Sequence, residues 1–401
     1  MRMQVLPHSG YLSVVLVGLG HIAAKHAEVL VQHPRIRLVA TVDPLQAKRT
    51  GFFAGLSDAV VHGTDLGTVL DELDALTDAQ VHGPVYGPLY MPADAEQRLV
   101  LVATPNGTHV ALARLAVERG WHVLVEKPMG LDPTACAELV DAARSRGRVL
   151  AVAMQNRFGW AVHALKELVD RGQLGALRMV QIECLWNRDE KYYNNASWRG
   201  TRAMDGGVLF TQFSHFIDLL LWLLGRPSDF SLMVSNQAHP GLELDHDSGV
   251  LSLRWPNRTL GTMVYTTAAP PGRASSGFTL LGSAAGVRLS GQYMDRLEWL
   301  TPDGATLTDP VSASVSGATT DFEPTPVSGA TTDFKPTLVS GATTNFEPTP
   351  VSGATTDPPT TQFLMWDHLC GVILDQQALL LPPEEAMEVV RFIHDIHQAH
   401  S

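Results

Sequence analysis

Cysteine is scarce, with three residues in 401, at positions 136, 184 and 370. An odd number so widely spread fits neither a disulfide framework nor a zinc-ligand spacing, and points to a reducing, cytoplasmic setting without structural metal. No Lys/Arg-rich run occurs, and 41 acidic against 29 basic residues leave a net charge of −12. That balance argues against nucleic acid or an anionic membrane as the main partner, while leaving room for a locally basic pocket. Long apolar runs are missing too. The most apolar stretch, 216–224, is too short to span a bilayer and reads as a buried helix. Near the start, His8, Ser9 and Gly10 interrupt the place where a signal peptide would carry its apolar core. What the chain has instead is 45% hydrophobic residues and a length beyond the reach of one core, so two domains are expected.

Apolar runs rich in β-branched residues fall at 13–17, 36–42, 59–62, 99–103, 122–125 and 149–154. Helical patterns lie between them at 22–33, 66–76, 108–119 and 133–146. This alternation predicts a doubly wound parallel sheet, a Rossmann domain over 1–153. The Pro/Gly-bearing segment 78–97 is longer than a usual connection and is read as a surface loop or lid. After Arg157 the grammar changes. A helix at 161–171 precedes strands near 178–186, 230–237, 248–255, 259–266, 278–281, 286–290 and 296–300. One helix at 210–224 interrupts them, and further helices follow 361. Strands following strands predict a largely antiparallel, open-faced sheet. The expected fold class is therefore α/β, with the Rossmann sheet followed by an α+β domain built from 154–309 and 358–401.

Between those two stretches, Val-Ser-Gly-Ala-Thr-Thr begins at Val315, Val327, Val339 and Val351, a spacing of 12 residues. Each full unit offers one Phe to a core (Phe322, Phe334, Phe346), less than a solenoid repeat needs. The region 310–357 is read as a low-complexity surface insertion, with a stacked β-structure as the alternative.

Gly18-Leu19-Gly20-His21-Ile22-Ala23 forms a G-x-G-x-x-A turn between the first strand and the first helix. Gly18 permits the turn, Gly20 admits a pyrophosphate, Ala23 keeps the helix close, and the helix N-terminus supplies N–H groups for phosphate. Asp43 ends the second strand, where a carboxylate accepts hydrogen bonds from ribose hydroxyls and repels a 2′-phosphate. A dinucleotide is implied, NAD rather than NADP. Thr104-Pro105-Asn106-Gly107-Thr108-His109 follows the strand at 99–103; it is a cofactor loop, a helix cap at Thr108, or both. Glu126-Lys127-Pro128 follows the strand at 122–125.

With these motifs in this order, the chain resembles the glucose–fructose oxidoreductase / inositol dehydrogenase / MocA family. In that family the lysine of Glu-Lys-Pro sits beside the nicotinamide and the reacting hydroxyl. A dense block sharpens the likeness: Tyr192-Tyr193, Trp198-Arg199-Gly200-Thr201, Gly206-Gly207 and the run from Leu209 through Gln212 and His215 to Asp218. It is similar to the nucleotide-sugar branch, the UDP-N-acetyl-2-amino-2-deoxyglucuronate (UDP-GlcNAcA) 3-dehydrogenases of surface-polysaccharide synthesis. Many polyol dehydrogenases of the wider family carry Asp where this chain has Thr211, which speaks against an inositol-type substrate. The resemblance implies a catalytic pair, Lys127 and His215. It also implies cofactor contacts from Gly18, Gly20, His21, Ile22, Asp43, Thr104, Asn106, His109, Glu126, Lys127, Asn156, Trp198 and Arg199. Substrate contacts are expected from Lys127, Arg157, Tyr193, Arg199, Gln212 and His215. Arg157 and Arg199 suit a sugar carboxylate or phosphate; each is otherwise an ion-pair partner.

Elementary chemistry supports the same roles, since alcohol oxidation needs a hydride acceptor and a group that takes the hydroxyl proton. His394, His397 and His400 are read as a solvated helix end and not as a metal box. The expected activity is NAD-dependent oxidation of a secondary hydroxyl, C3 of a UDP-linked N-acetylated uronic acid. Two alternatives stand beside it: an inositol or free-sugar dehydrogenase, and a non-catalytic NAD-binding sensor. A homo-oligomer is expected from the open sheet. Because loop entropy grows slowly with length, replacing 315–356 by a short Gly/Ser linker should leave thermal midpoint and turnover near those of the parent chain. Loss of either in soluble protein would show that the repeats pack on the fold or serve the site.

Overall fold

The computed structural model describes residues 10–46, 61–78, 97–272, 274–291, 293–301 and 358–399. The repeat insertion, nearly all of the segment 78–97, the start of the strand expected at 59–62 and His400 lie outside the described residues.

The first half runs β1 (Leu12–Val17), α1 (His21–Leu30), β2 (Ile36–Val42), β3 (Val61–Gly63), α2 (Leu66–Asp78), β4 (Arg98–Val102), α3 (His109–Glu118), β5 (His122–Val125), α4 (Pro133–Ser145) and β6 (Leu150–Val152). These strands form one sheet in the order β3-β2-β1-β4-β5-β6, every neighbour parallel. β1, β4 and β5 are buried along their whole length, so apart from Ser13, Arg98 and His122 they read as apolar runs without alternation. The strand order reverses direction at β1. The carboxyl ends of β1, β2, β4 and β5 therefore open on one crevice, where such sheets bind ligands. Local signals agree with this architecture: Asp132 caps α4 by accepting the Ala135 N–H, with Pro133 in the first turn.

The second half continues with α5 (Trp160–Asp170), β7 (Leu177–Leu185), α6 (Glu190–Asn194), α7 (Val208–Thr211), α8 (Ser214–Leu224), β8 (Asp229–Ser235), β9 (Ser248–Arg254), β10 (Leu260–Thr266), β11 (Ser275–Gly282), β12 (Gly286–Ser290), β13 (Arg296–Thr301), α9 (Pro358–Leu374) and α10 (Pro383–Gln398). Its strands form a second sheet, β13-β12-β11-β7-β10-β9-β8. Pairing is antiparallel except between β7 and β10. A parallel pair needs a long connection, and the chain between them supplies one. Among the described residues one face carries exposed apolar side chains. Met179, Leu260 and Leu281 sit side by side on adjacent strands and are exposed, whereas Val180, Ile182 and Cys184 of β7 point the other way and are fully buried.

Two expectations need correction. The helix expected at 210–224 is two helices, α7 and α8, separated at Gln212–Phe213, where the Phe213 N–H reaches back to the Val208 carbonyl. A donor bonded five residues back widens the turn and ends α7. The division into compact units also differs. One unit gathers the described parts of Met1–Met154, Trp198–Ser214 and Gln362–Gln398; the other gathers those of Gln155–Ser197, His215–Thr361 and Ala399–Ser401. The stretch 362–398, expected with the second domain, joins the first because α10 buries Ala386, Val389, Val390, Ile393 and Ile396 and packs on α4 and β6.

Within the second unit, Arg157 is 1% exposed and its guanidinium holds Asp218 of α8 through Nε (2.9 Å) and Nη2 (2.7 Å), with Trp222 stacked 4.8 Å away. Removing one partner of such a pair strands a buried charge. Asp218→Asn should cost about 3–5 kcal/mol in denaturant unfolding, and the double change Arg157→Met/Asp218→Leu should recover most of it. An Asp218→Asn protein as stable as the parent would contradict a strong ion pair.

Candidate active site

The crevice of the parallel sheet is built from four strand ends. After β1, Gly18 has φ +87°, and a Cβ there would stand 2.5 Å from the Ala103 carbonyl oxygen. Only glycine fits such a turn. Gly20 differs: its φ is −88°, and apart from its chain neighbours no atom of the described residues lies within 4 Å of where its Cβ would be. Packing among the described residues does not demand glycine at that position. His21 is exposed and Ile22 half-buried in the first turn of α1, whose leading N–H groups have no partner within the helix.

Asp43, at the end of β2, is 3% exposed. Its Oδ2 accepts the Leu19 N–H at 2.9 Å and its Oδ1 the Leu45 N–H at 2.8 Å. The carboxylate thus ties the glycine turn to β2. A carboxylate at this strand end is the group that accepts hydrogen bonds from ribose hydroxyls in dinucleotide-binding folds.

Past β4, the Thr104 hydroxyl bonds that of Thr108 at 2.7 Å, and Thr108 donates to the Pro105 carbonyl. Three residues expected to touch cofactor are hydrogen-bonded within the protein. The fully buried His109 places its ring nitrogens 2.8 Å from the Thr104 and Pro128 carbonyls, clipping the end of β4 to that of β5. Burial pushes its imidazole below the ordinary value, while the two carbonyls oppose that shift. Asn106 uses its amide nitrogen on the Asp205 carbonyl and the Thr211 hydroxyl, 2.8 Å each. Glu126 accepts the Lys127 N–H at 3.1 Å and faces His26 Nε2 at 2.8 Å. The Trp366 indole donates to His26 Nδ1 at 3.0 Å. An indole only donates, so Nδ1 accepts, and Nε2 carries the proton that Glu126 receives.

Lys127 is half-buried and donates from Nζ to the Thr211 carbonyl at 2.7 Å. That carbonyl lies at the C-terminal end of α7, where helix carbonyls need outside donors. The Thr211 hydroxyl donates to Asp205 Oδ1 at 2.7 Å. Sequence reasoning passed over Asp205, His26 and Trp366. The one available signal was the Asp-Gly-Gly run at 205–207, whose glycines have φ +79° and +99°.

In the other unit, Asn156 is 2% exposed and its buried Oδ1 accepts no hydrogen bond from the described residues. Tyr193 is buried against Tyr192 and His239, ring centroids 5.1 and 4.9 Å apart. His215, in the first turn of α8, is 8% exposed. Arg157 was expected to clamp a substrate anion; its bidentate grip on Asp218 assigns it to the fold instead. Among the remaining expected residues, Gln212 is 5% exposed, and Trp198 and Arg199 are half-buried with the guanidinium 5.7 Å from the indole. His397 is not simply solvated, since its ring packs 5.6 Å from Phe210. Burial pushes the Cys136 and Cys370 thiols up to about 12, which removes them as nucleophiles near neutrality. No described helix is long and apolar enough to cross a membrane.

Comparison with known proteins bears on this geometry. The 1-carboxy-3-chloro-3,4-dihydroxycyclo hexa-1,5-diene dehydrogenase of Comamonas testosteroni is 28% identical over 229 residues, 55% of this chain and 49% of that protein. The inositol 2-dehydrogenase of Streptomyces avermitilis is 31% identical over 223 residues, 54% of each. The chain thus spans about half the length of the curated relatives it matches. In structure it is similar to the WlbA dehydrogenase from Bordetella pertussis in complex with NADH and UDP-GlcNAcA. The TM-score is 0.72 at 22% identity, over 97% of this chain and 95% of that one. The family model for the oxidoreductase family, NAD-binding Rossmann fold, matches residues 12–154, and that for the GFO/IDH/MocA C-terminal domain matches 162–288. With both halves matched in order on the expected two sheets, the chain belongs to the GFO/IDH/MocA oxidoreductase family and carries its NAD-binding Rossmann domain.

Proposed function

We propose that this protein is an NAD-dependent dehydrogenase that oxidises a secondary hydroxyl of a sugar nucleotide, at C3 of a UDP-linked N-acetylated uronic acid. The observation that carries the reading is the placement of Lys127. Its ammonium stands at the end of β5, on the same crevice as the glycine turn, and is held there by the Thr211 carbonyl. The choice of sugar draws on the Bordetella pertussis dehydrogenase, which was solved with NADH and UDP-GlcNAcA. A second reading, an inositol dehydrogenase, draws on the Streptomyces avermitilis relative; a neutral Thr211 in place of a carboxylate favours the first.

When bound, NAD⁺ supplies the hydride acceptor. The residues proposed to hold it are Gly18, Gly20, His21, Ile22 and Asp43, joined by Thr104, Asn156, Trp198 and Arg199. Asn106, His109 and Glu126 shape the turns that carry them. His215 takes the hydroxyl proton, the role an imidazole most often fills in general acid–base catalysis. Lys127 donates a hydrogen bond to the same oxygen and stabilises its developing negative charge. Tyr193, Gln212 and Arg199 orient the sugar nucleotide. The open face of the second sheet, with Met179, Leu260 and Leu281 exposed in a row, is proposed to be covered by a second copy of the chain.

A screen of UDP-sugars, inositols and free sugars with NAD⁺, followed by absorbance of the reduced cofactor, tests the substrate class. Turnover of an inositol with none on any UDP-sugar would replace the first reading by the second. Cofactor choice has its own test. Asp43→Ser removes the ribose acceptor and the repulsion of a 2′-phosphate, so the ratio of kcat/KM for NAD⁺ over NADP⁺ should fall. A parent enzyme that prefers NADP⁺ would refute the role of Asp43. For the proton, His215→Asn should lower kcat by roughly 10²–10⁴ with NAD⁺ affinity near that of the parent. Lys127→Ala should reduce turnover at least as much. If the fall of kcat/KM toward low pH persists unchanged in His215→Asn, Lys127 is the base.

A further inference from the structure

Asp205 is a carboxylate without an assigned task, 2% exposed and close to the proposed chemistry. Its surroundings consist of donors. Oδ1 accepts from the Thr211 hydroxyl at 2.7 Å and from the Gly207 N–H at 3.3 Å, and Oδ2 accepts from the Gly200 N–H at 2.9 Å. Three donors suit an ionised carboxylate, which only accepts; a protonated carboxyl would need an acceptor for its own proton. Its backbone carbonyl is bonded as well, by Asn106 Nδ2 at 2.8 Å. The side chain is therefore fixed on both sides, and it fixes Thr211, whose carbonyl receives Lys127 Nζ.

We propose that Asp205 is the counter-charge of Lys127, a positioning residue that keeps the lysine charged by its own negative charge and aims it through Thr211. The inference rests on the reading of Lys127 as the catalytic cation, but its geometry stands by itself. Two effects follow from one group. The Asp205–Thr211 hydrogen bond orients the peptide that anchors Nζ, and the buried negative charge favours the ammonium over the free amine. Burial pushes the Asp205 carboxyl above its ordinary range, while the Thr211 hydroxyl, the two glycine amides and Lys127 pull it back. Other titratable groups near this node are Glu126, whose carboxylate takes the Lys127 N–H, His109 between the Thr104 and Pro128 carbonyls, and His26 on Glu126. His397 stands beside Gly207 and Phe210. Among these, Asp205 is the one joined to Lys127 through the Thr211 anchor.

The test reads the charge of Lys127 directly, without turnover. Intact protein is labelled at a series of pH values with trace acetic anhydride, and the Lys127 and Lys191 peptides are compared by mass spectrometry; the exposed Lys191 is the internal standard. In Asp205→Asn the midpoint of Lys127 labelling should fall by about one pH unit, so labelling below the midpoint rises roughly tenfold. Thr211→Val, which keeps the carboxylate, should move the midpoint much less. Coupling is reciprocal. In Lys127→Met, the Asp205 carboxyl ¹³C titration should rise by a similar amount, a reading that remains available even if Asp205→Asn does not fold. Unchanged midpoints in a folded Asp205→Asn protein, or in Lys127→Met, would overturn the proposal. If the midpoints shift while the parent oxidises no sugar nucleotide, inositol or free sugar, the dehydrogenase reading fails and the coupling stands.

Discussion

The hydrogen bond from Lys127 Nζ to the Thr211 carbonyl joins two parts of the sequence that nothing local brings together. A lysine side chain carries about 2 kcal/mol of rotamer entropy, so an ammonium at a strand end wanders unless something holds it. Here the holder is the last carbonyl of a one-turn helix. Thr211 is itself held: its hydroxyl accepts from Asn106, after β4, and donates to Asp205. One threonine therefore ties the ends of β4 and β5 to the 198–214 segment. Any shift at that residue moves the lysine.

Two buried histidines do comparable work on the same sheet. His109 spans the turns after β4 and β5. His26 passes a hydrogen bond from Trp366 to Glu126, linking α9 to the turn that carries Lys127. Neither ring faces open solvent. Their effect is mechanical: they supply donors to buried carbonyls and a buried carboxylate, and so hold the turns. The polar residues of the family motifs thus divide by role. Gly20 and Asp43 are the residues proposed to meet the cofactor, whereas Asn106, His109 and Glu126 are hydrogen-bonded within the frame. A sequence motif records both kinds without distinguishing them.

The first sheet was legible because its determinants are local. Apolar runs of strand length, separated by helical periods, predict β1, β2, β4, β5 and β6 to within a residue or two at most ends, and the glycine turn falls where a pyrophosphate site needs it. Asp43 was likewise readable from its place at the end of β2. Where the structure gave an expected site residue a partner within the protein, that partner was in several cases distant in sequence. Arg157 meets Asp218, 61 positions away, and Asn106 meets Asp205 and Thr211, 99 and 105 away. An arginine in a motif looks the same whether it awaits a ligand or already holds a carboxylate. Asp205 was passed over for the same reason, because its importance lies in contacts and not in spacing.

Composition and periodicity by themselves determined that this is a two-sheet α/β chain with a dinucleotide turn, since burial of apolar runs and the steric freedom of glycine act over a few residues. Tertiary structure alone decided where the units divide, that β7 and β10 run parallel, and that the helix after Gly207 stops at Thr211. Each of those outcomes depends on what packs against a segment after the chain has folded. The stripe of α10 was visible in its sequence, but the surface it covers, on α4 and β6, was not. The same holds for the lysine. Its identity was written in Glu-Lys-Pro, while its aim and its charge partner come from Thr211 and Asp205, residues placed beside it only by the fold.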